Sequence, residues 1–244
     1  MNKVVVITGM HRSGTSMVAN TLYDLGVYMD EKSLLPADPS NSKGYFEDQD
    51  IINFHNDLLL ENGRYPFLSK GVKSFRISSK LEYRADKIIE KYSKEKVWGF
   101  KDPRTSLFLD YWNRKLSGFE LHYLFLYRDP FQVVDSLLRR NPDFFSGREK
   151  LTIQSWLIYN KSICRFAEKK KSHLIINIQN FIENPQGYLF QIDKKFGLDL
   201  SNSYNHAFEE SLFKQETNSS LPFKQNFLET IQVRQCLSEL QKKS

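Results

Sequence analysis

Short, nearly unbroken apolar runs recur along the chain at Val4-Val5-Val6-Ile7, Val97-Trp98-Gly99-Phe100, Leu121 to Tyr127 and Leu174 to Ile178. They are too short for helices and do not alternate with polar residues, the pattern of strands covered on both faces. Between them the apolar positions return at three- and four-residue spacing. Met17, Val18, Leu22 and Leu25 predict a helix over Ser16–Leu25, which Gly26 ends. Ile51, Ile52, Phe54, His55, Leu58 and Leu59 predict another over Glu47–Asn62, and Ala85, Ile88 and Ile89 one over Leu81–Tyr92. Further helices are expected over Ser106–Leu116, from Pro130 to about Arg140 and from Ile153 to about Lys171, with a mobile loop over Asn141–Lys150. Strands alternating with helices imply an α/β fold: a three-layer α/β/α arrangement on a central parallel sheet, with ligand sites at the strand C-terminal ends. No linker or repeat interrupts residues 1–244, so one domain is expected, with a loop and helical insertion at about 27–95.

The first strand runs directly into Thr8-Gly9-Met10-His11-Arg12-Ser13-Gly14-Thr15-Ser16-Met17. Strand, glycine-bracketed loop and helix together make a phosphate cradle: Gly9 and Gly14 let the backbone bend so that its N–H groups converge, and the helix directs its positive end into the same space. An anion is the expected guest. The nucleoside-triphosphate version of this loop, GxxxxGK[ST], needs Lys after the second Gly, where this chain has Thr15. The cation lies inside the loop instead, at Arg12. A packing turn with no ligand is the plainer alternative.

The loop resembles the 5′-phosphosulfate loop of sulfotransferases that use 3′-phosphoadenosine 5′-phosphosulfate (PAPS), in which Lys or Arg precedes Ser-Gly-Thr as Arg12 precedes Ser13-Gly14-Thr15. A second segment agrees with it. The strand ending at Tyr127 is followed by Arg128-Asp129-Pro130 and a helix carrying Ser136. In that family an Arg at the strand end and a Ser eight residues later hold the donor's 3′-phosphate, the spacing of Arg128 and Ser136. Arginine suits the task because its planar fork of N–H donors matches phosphate oxygens. The resemblance implies a P-loop-like fold and a sulfuryl transfer from PAPS, with Gly9, Arg12, Ser13, Gly14, Thr15, Ser16, Arg128 and Ser136 toward the donor. It also implies an acceptor hydroxyl, with a glycan or glycosylated metabolite ahead of a lipid or phenol, and a contribution of the 27–95 insertion to the acceptor site.

Catalysis is expected to involve Arg12 and a base. Glu47, in Gly44-Tyr45-Phe46-Glu47-Asp48, stands where many carbohydrate and protein-tyrosine sulfotransferases have a catalytic Glu; His11 is its rival, and a role for Glu47 confined to the helix terminus is the alternative to both. Lys101-Asp102-Pro103-Arg104 resembles a recurrent motif of bacterial relatives; Asp102 is expected to orient Arg12 or a substrate hydroxyl and Lys101 and Arg104 to meet donor or acceptor anions, or else all three to form an internal ion cluster, and His55 to be structural. Trp156, Tyr159, Asn184 and Pro185 extend the resemblance over about three quarters of the chain. Two departures limit it. Ile178-Gln179-Asn180-Phe181 replaces the Tyr-Glu-Asp-Leu-like sequence of many relatives, and the C-terminal RKGxxG segment is absent, which points to the bacterial and carbohydrate-type branch and leaves adenine contacts unassigned.

Composition narrows the alternatives further. The formal charge of +6 favours an anionic ligand, yet much of it lies in runs such as Lys169-Lys170-Lys171, and no nucleic-acid motif accompanies them, so no nucleic-acid partner is expected. The only two cysteines, Cys164 and Cys236, lack metal-ligand neighbours, which suggests reduced thiols and no metal requirement. No run approaches the ~20 apolar residues of a membrane helix, and no signal-peptide core precedes the loop, so a cytoplasmic protein is the expectation. Oligomeric state is not encoded in any recognisable pattern. Two other readings remain open at this point, a P-loop small-molecule kinase and a catalytically silent nucleotide-binding protein.

Overall fold

The structure is a computed structural model and describes residues 1–36, 44–66, 74–200 and 227–244. Four strands, β1 (Lys3–Gly9), β2 (Val97–Lys101), β3 (Glu120–Tyr127) and β4 (His173–Asn177), form an entirely parallel sheet in the order β2-β1-β3-β4. β1 is central, with Val5 opposite Gly99 on one side and His122 on the other. Because side chains alternate across a strand, Val4 and Val6 enter one core with Trp98, Trp112, Phe125 and Trp156, whereas Val5 and Ile7 enter a second with Val18, Leu22, Leu126 and Ile176. Two buried faces explain the unbroken apolar runs.

Helices cover both faces, giving the expected three layers. The second core is closed by α1 (Thr15–Asp24), α8 (Ile178–Glu183) and α9 (Pro185–Phe196). The first is closed by α2 (Gln49–Glu61), α3 (Ser79–Tyr92), α4 (Leu109–Lys115), α5 (Pro130–Arg140), the short α6 (Pro142–Phe145) and α7 (Glu149–Ala167). The last helix, α10 (Phe227–Lys243), packs on α7 and places Val233, Cys236 and Leu240 in that core. Cys164 and Cys236 are buried free thiols. Among the described residues no helix is long and apolar enough to cross a membrane, and no group of three or more His, Cys, Asp or Glu is arranged to hold a metal.

Side-chain caps account for most boundary differences from the sequence expectation. The carboxylate of Asp48 accepts from the amides of Asp50 and Ile51, so α2 starts at Gln49 and Glu47 lies outside it. The other oxygen of Asp48 accepts from Lys91 at 2.5 Å and from the Tyr92 hydroxyl, so α3 fixes the approach to α2. The helix expected over Ser106–Leu116 is divided, because Asp102 caps a 3₁₀ turn over Pro103–Leu107 before α4 begins. The segment expected as a loop at Asn141–Lys150 instead contains α6, capped by Asn141 onto Phe144, and the start of α7 at Glu149. β4 stops at Asn177, whose side chain caps α8. Part of the Asp30–Gly44 connection, 37–43, lies outside the described residues; a 3₁₀ turn at Glu31–Ser33 precedes it.

Candidate functional site

The loop between β1 and α1 is defined by close packing. A Cβ on Gly9 would lie 2.1 Å from the Leu126 carbonyl oxygen, so β3 can approach only a glycine there. Gly14 has φ 80° and a Cβ on it would lie 2.3 Å from Ile178 Cγ1, so both backbone and packing exclude a side chain. Gly14 is also the N-cap of α1 and offers no side-chain acceptor, in contrast to the caps of α2, α3, α5 and α8. The Met17 amide donates to the Gly14 carbonyl at 3.1 Å, and those of Thr15 and Ser16 are left to a ligand at the positive end of the helix. Ser13 is completely buried, and its hydroxyl has no hydrogen-bond partner among the described residues. Such a cradle fits a phosphate or phosphosulfate group.

Arg12 has φ 68°, in the left-handed region that non-glycine residues seldom occupy and that costs on the order of 1–3 kcal/mol. Its surroundings hold it there. Arg12 Nε donates to Ser136 Oγ at 3.0 Å, and Arg128 Nη1 donates to the Arg12 carbonyl at 3.3 Å. Arg128 is in turn fixed by donation from Nε to Gln132 at 3.2 Å, and its carbonyl accepts from the Trp156 indole at 3.0 Å. Asp129 caps α5 through the amides of Phe131 and Gln132, with Pro130 in the first turn, so the helix bearing Ser136 leaves β3 at a fixed angle. The two segments singled out in the sequence thus meet across 124 residues at Arg12 and Ser136.

Beside the loop, the end of β2 supplies a buried charge cluster. Lys101 Nζ donates to Ser16 Oγ at 3.1 Å, to the Tyr45 carbonyl at 3.1 Å and to Glu47 Oε1 at 2.5 Å. A lysine missing from the loop itself is therefore provided by the neighbouring strand. Glu47 is buried, and its second oxygen lies 3.7 Å from Arg104 Nη1. Of the readings open for Asp102, the structure shows the internal ion cluster: its oxygens lie 3.1 and 3.0 Å from Arg104 Nη1. Burial pushes the Asp102 carboxyl up, but Arg104 and His55 outweigh it and hold it well below the usual carboxylate range. His55 Nδ1 stands 3.5 Å from Asp102, longer than a good hydrogen bond, while Nε2 accepts from the Trp112 indole at 2.8 Å. His55 is thereby the structural residue expected of it. Thr8 joins loop and cluster, donating to the Asp102 carbonyl at 2.8 Å with Ser106 Oγ also at 2.8 Å.

His11 lies edge-on to Tyr159, with ring centroids 6.1 Å apart. Burial, followed by the positive charge of Arg104, lowers its pKa to about 3, so the imidazole is neutral at ordinary pH. Tyr159 is anchored by donation to the Pro66 carbonyl at 3.0 Å. The structure brings Arg12, Arg128 and Ser136 together and ties Ser16 to Glu47 through Lys101. The sequence reading left the Asp102–Arg104–His55–Trp112 chain unassembled, although the Lys-Asp-Pro-Arg motif after a strand was its visible signal.

The fold has counterparts among solved structures. A sulfotransferase domain from the Synechococcus PCC 7002 olefin synthase superposes with a TM-score of 0.61 at 17% identity, covering 97% of this chain and 94% of that one. The chain folds as a sulfotransferase domain does. A sulfotransferase domain from the curacin biosynthetic pathway gives 0.60 at 13% identity, covering 98% of both chains. A Mycobacterium tuberculosis H37Rv sulfotransferase gives 0.54 at 14% identity, covering 98% of this chain and 76% of that one. No model of a known protein family and no curated protein matches the sequence. At such identities the sulfotransferase fold is what is shared, and the chemistry must be argued from the site.

Proposed function

We propose that the protein is a sulfotransferase that moves a sulfuryl group from PAPS to an acceptor hydroxyl, with a glycan or glycosylated metabolite as the favoured acceptor. One observation carries this reading: Arg12 in the anion loop and the Arg128–Ser136 pair, distant in sequence, converge within hydrogen-bond distance. Gly9, Ser13, Gly14, Thr15 and Ser16 form the cradle for the 5′-phosphosulfate, and Arg128 and Ser136 take the 3′-phosphate. Arg12 sits between the two and neutralises charge on the leaving phosphate. Lys101 adds a second positive charge beside Ser16 while pairing with Glu47.

Sulfuryl transfer forms a bond from the acceptor oxygen to sulfur and breaks the bond from sulfur to the bridging oxygen, whose electron pair stays on the 5′-phosphate. The acceptor proton must leave. Glu47 is the better receiver of the two candidates, because protonating His11 would place a further cation beside Arg104 and Lys101. The insertion at about 27–95, which carries Glu47, supplies part of the acceptor surface. Arg12 and Lys101 supply positive charge beside the cradle for this chemistry. Calorimetric titration with 3′-phosphoadenosine 5′-phosphate (PAP), ATP and adenosine 5′-phosphosulfate tests the reading. Preferential binding of the 3′-phosphorylated nucleotide, weakened at least tenfold by Arg128→Ala, is expected; binding of ATP alone would overturn it in favour of a kinase.

A further inference from the structure

The guanidinium of Arg104 is held with unusual care and then used by the protein on one side only. Among the described residues its hydrogen bonds all leave from Nη1, to the two oxygens of Asp102. Nε is buried without a hydrogen-bond partner. A guanidinium has five N–H donors, so most of the fork is uncommitted, in a place where an unmet donor is costly. Burial disfavours the charged form, yet Asp102 and Glu47 overcome this and raise the pKa further, so the group stays cationic. Its side chain retains 13% exposure, which leaves a small opening rather than a solvated surface.

The anchoring goes beyond a local ion pair. Asp102 is completely buried and faces His55 of α2, which accepts from Trp112 of α4 and stacks on Phe108 at 5.6 Å with rings 10° apart. Three elements therefore fix the direction of one guanidinium. The guanidinium also lies at the rim of the loop: Glu47 Oε2 is 3.7 Å from Nη1, and Glu47 is tied through Lys101 to Ser16 at the start of α1.

We infer that Arg104 is a catalytic residue that binds the peripheral oxygens of the sulfuryl group, while Arg12, Arg128 and Ser136 serve the nucleotide's phosphates. The assignment rests on the PAPS reading above and deepens it. As the acceptor oxygen bonds to sulfur and the bridging bond breaks toward the 5′-phosphate, Nε and Nη2 of Arg104 donate to sulfuryl oxygens, and the acceptor proton passes to Glu47. A side chain dedicated to the sulfuryl group distinguishes PAPS from PAP, which lacks that group.

Equilibrium binding of PAPS and of PAP to the unaltered protein, Arg104→Ala and Arg104→Lys tests this without an acceptor. Both variants are expected to weaken PAPS at least tenfold and to leave PAP within twofold, because hydrogen bonds to charged groups are lost with the fork. Guanidinium ion at millimolar concentration is expected to restore PAPS affinity to Arg104→Ala. PAP affinity also reports whether each variant folds, and Arg104→Lys keeps the charge should Arg104→Ala fail. Equal weakening of both nucleotides, or of neither, overturns the assignment. Failure of the unaltered protein to bind either nucleotide overturns the PAPS reading itself and the assignment with it.

Discussion

The anion loop and the charge cluster at the end of β2 touch through Lys101 and Ser16, yet they are built on opposite principles. The loop is a backbone device: glycines, an uncapped helix start and one non-glycine residue at positive φ, all within a short span of sequence. The cluster is a side-chain device, in which Glu47, His55, Asp102, Arg104 and Trp112 are drawn together from three separate segments. A backbone device concentrates its cost in local strain. A side-chain device buries ions, and each member depends on the others for compensation. The two should therefore fail differently when broken.

Asp102→Ala should produce the largest loss. It leaves Arg104 without its anchoring carboxylate and removes the charge facing His55, both in surroundings where Asp102 itself has no exposure. Breaking a buried ion pair on one side costs about 3–5 kcal/mol. Urea denaturation would show this as a lower midpoint at an unchanged slope, and a loss below about 1 kcal/mol would mean that the cluster is not coupled as described. Gly14→Ala should cost less, on the order of 1–3 kcal/mol, but should remove nucleotide binding outright, because it acts at the cradle itself. Adding Ile178→Ala relieves the 2.3 Å collision and leaves the φ of 80°. Partial recovery of stability in the double variant would separate packing from backbone strain, and full recovery would show that φ contributes nothing.

That contrast also explains what was legible in the sequence. The loop could be recognised because its determinants are contiguous: a strand, then Gly9, Arg12 and Gly14 at fixed spacing, then a helix. Arg128 and Ser136 were legible for the same reason, standing at the end of one strand and on the next helix. The cluster was not, since nothing in the spacing of His55, Asp102 and Trp112 shows that α2 and α4 pack at the end of β2. For Asp102 the sequence left open an orienting role toward Arg12 or a substrate hydroxyl and a place in an internal ion cluster, and proximity in sequence and a turn cap give it Arg104. Helix starts were misjudged where a capping side chain decided the matter, as Asp48 does for α2, because apolar periodicity does not register caps. Asn141 similarly turns part of the expected Asn141–Lys150 loop into α6, and α7 begins at Glu149 within the same segment.

The smallest effect per unit change, and the one that joins the two devices, concerns His11. It belongs to the loop by sequence but takes its electrostatics from the cluster, through Arg104 and Lys101. Its pKa falls from 6.5 when unfolded to about 3 when folded, with burial as the leading cause. Between those values the unfolded chain binds the extra proton and the folded chain does not. Stability is therefore fully present above pH 6.5 and declines as pH falls toward 3, at up to about 1.4 kcal/mol per pH unit. Burial also lowers His122 and His173, so part of the acid limb belongs to them. His11→Asn removes one titrating group and should flatten the limb measurably without abolishing it. An unchanged pH profile would mean that His11 can be protonated in the folded site, and it would then return as a competitor to Glu47 for the acceptor proton.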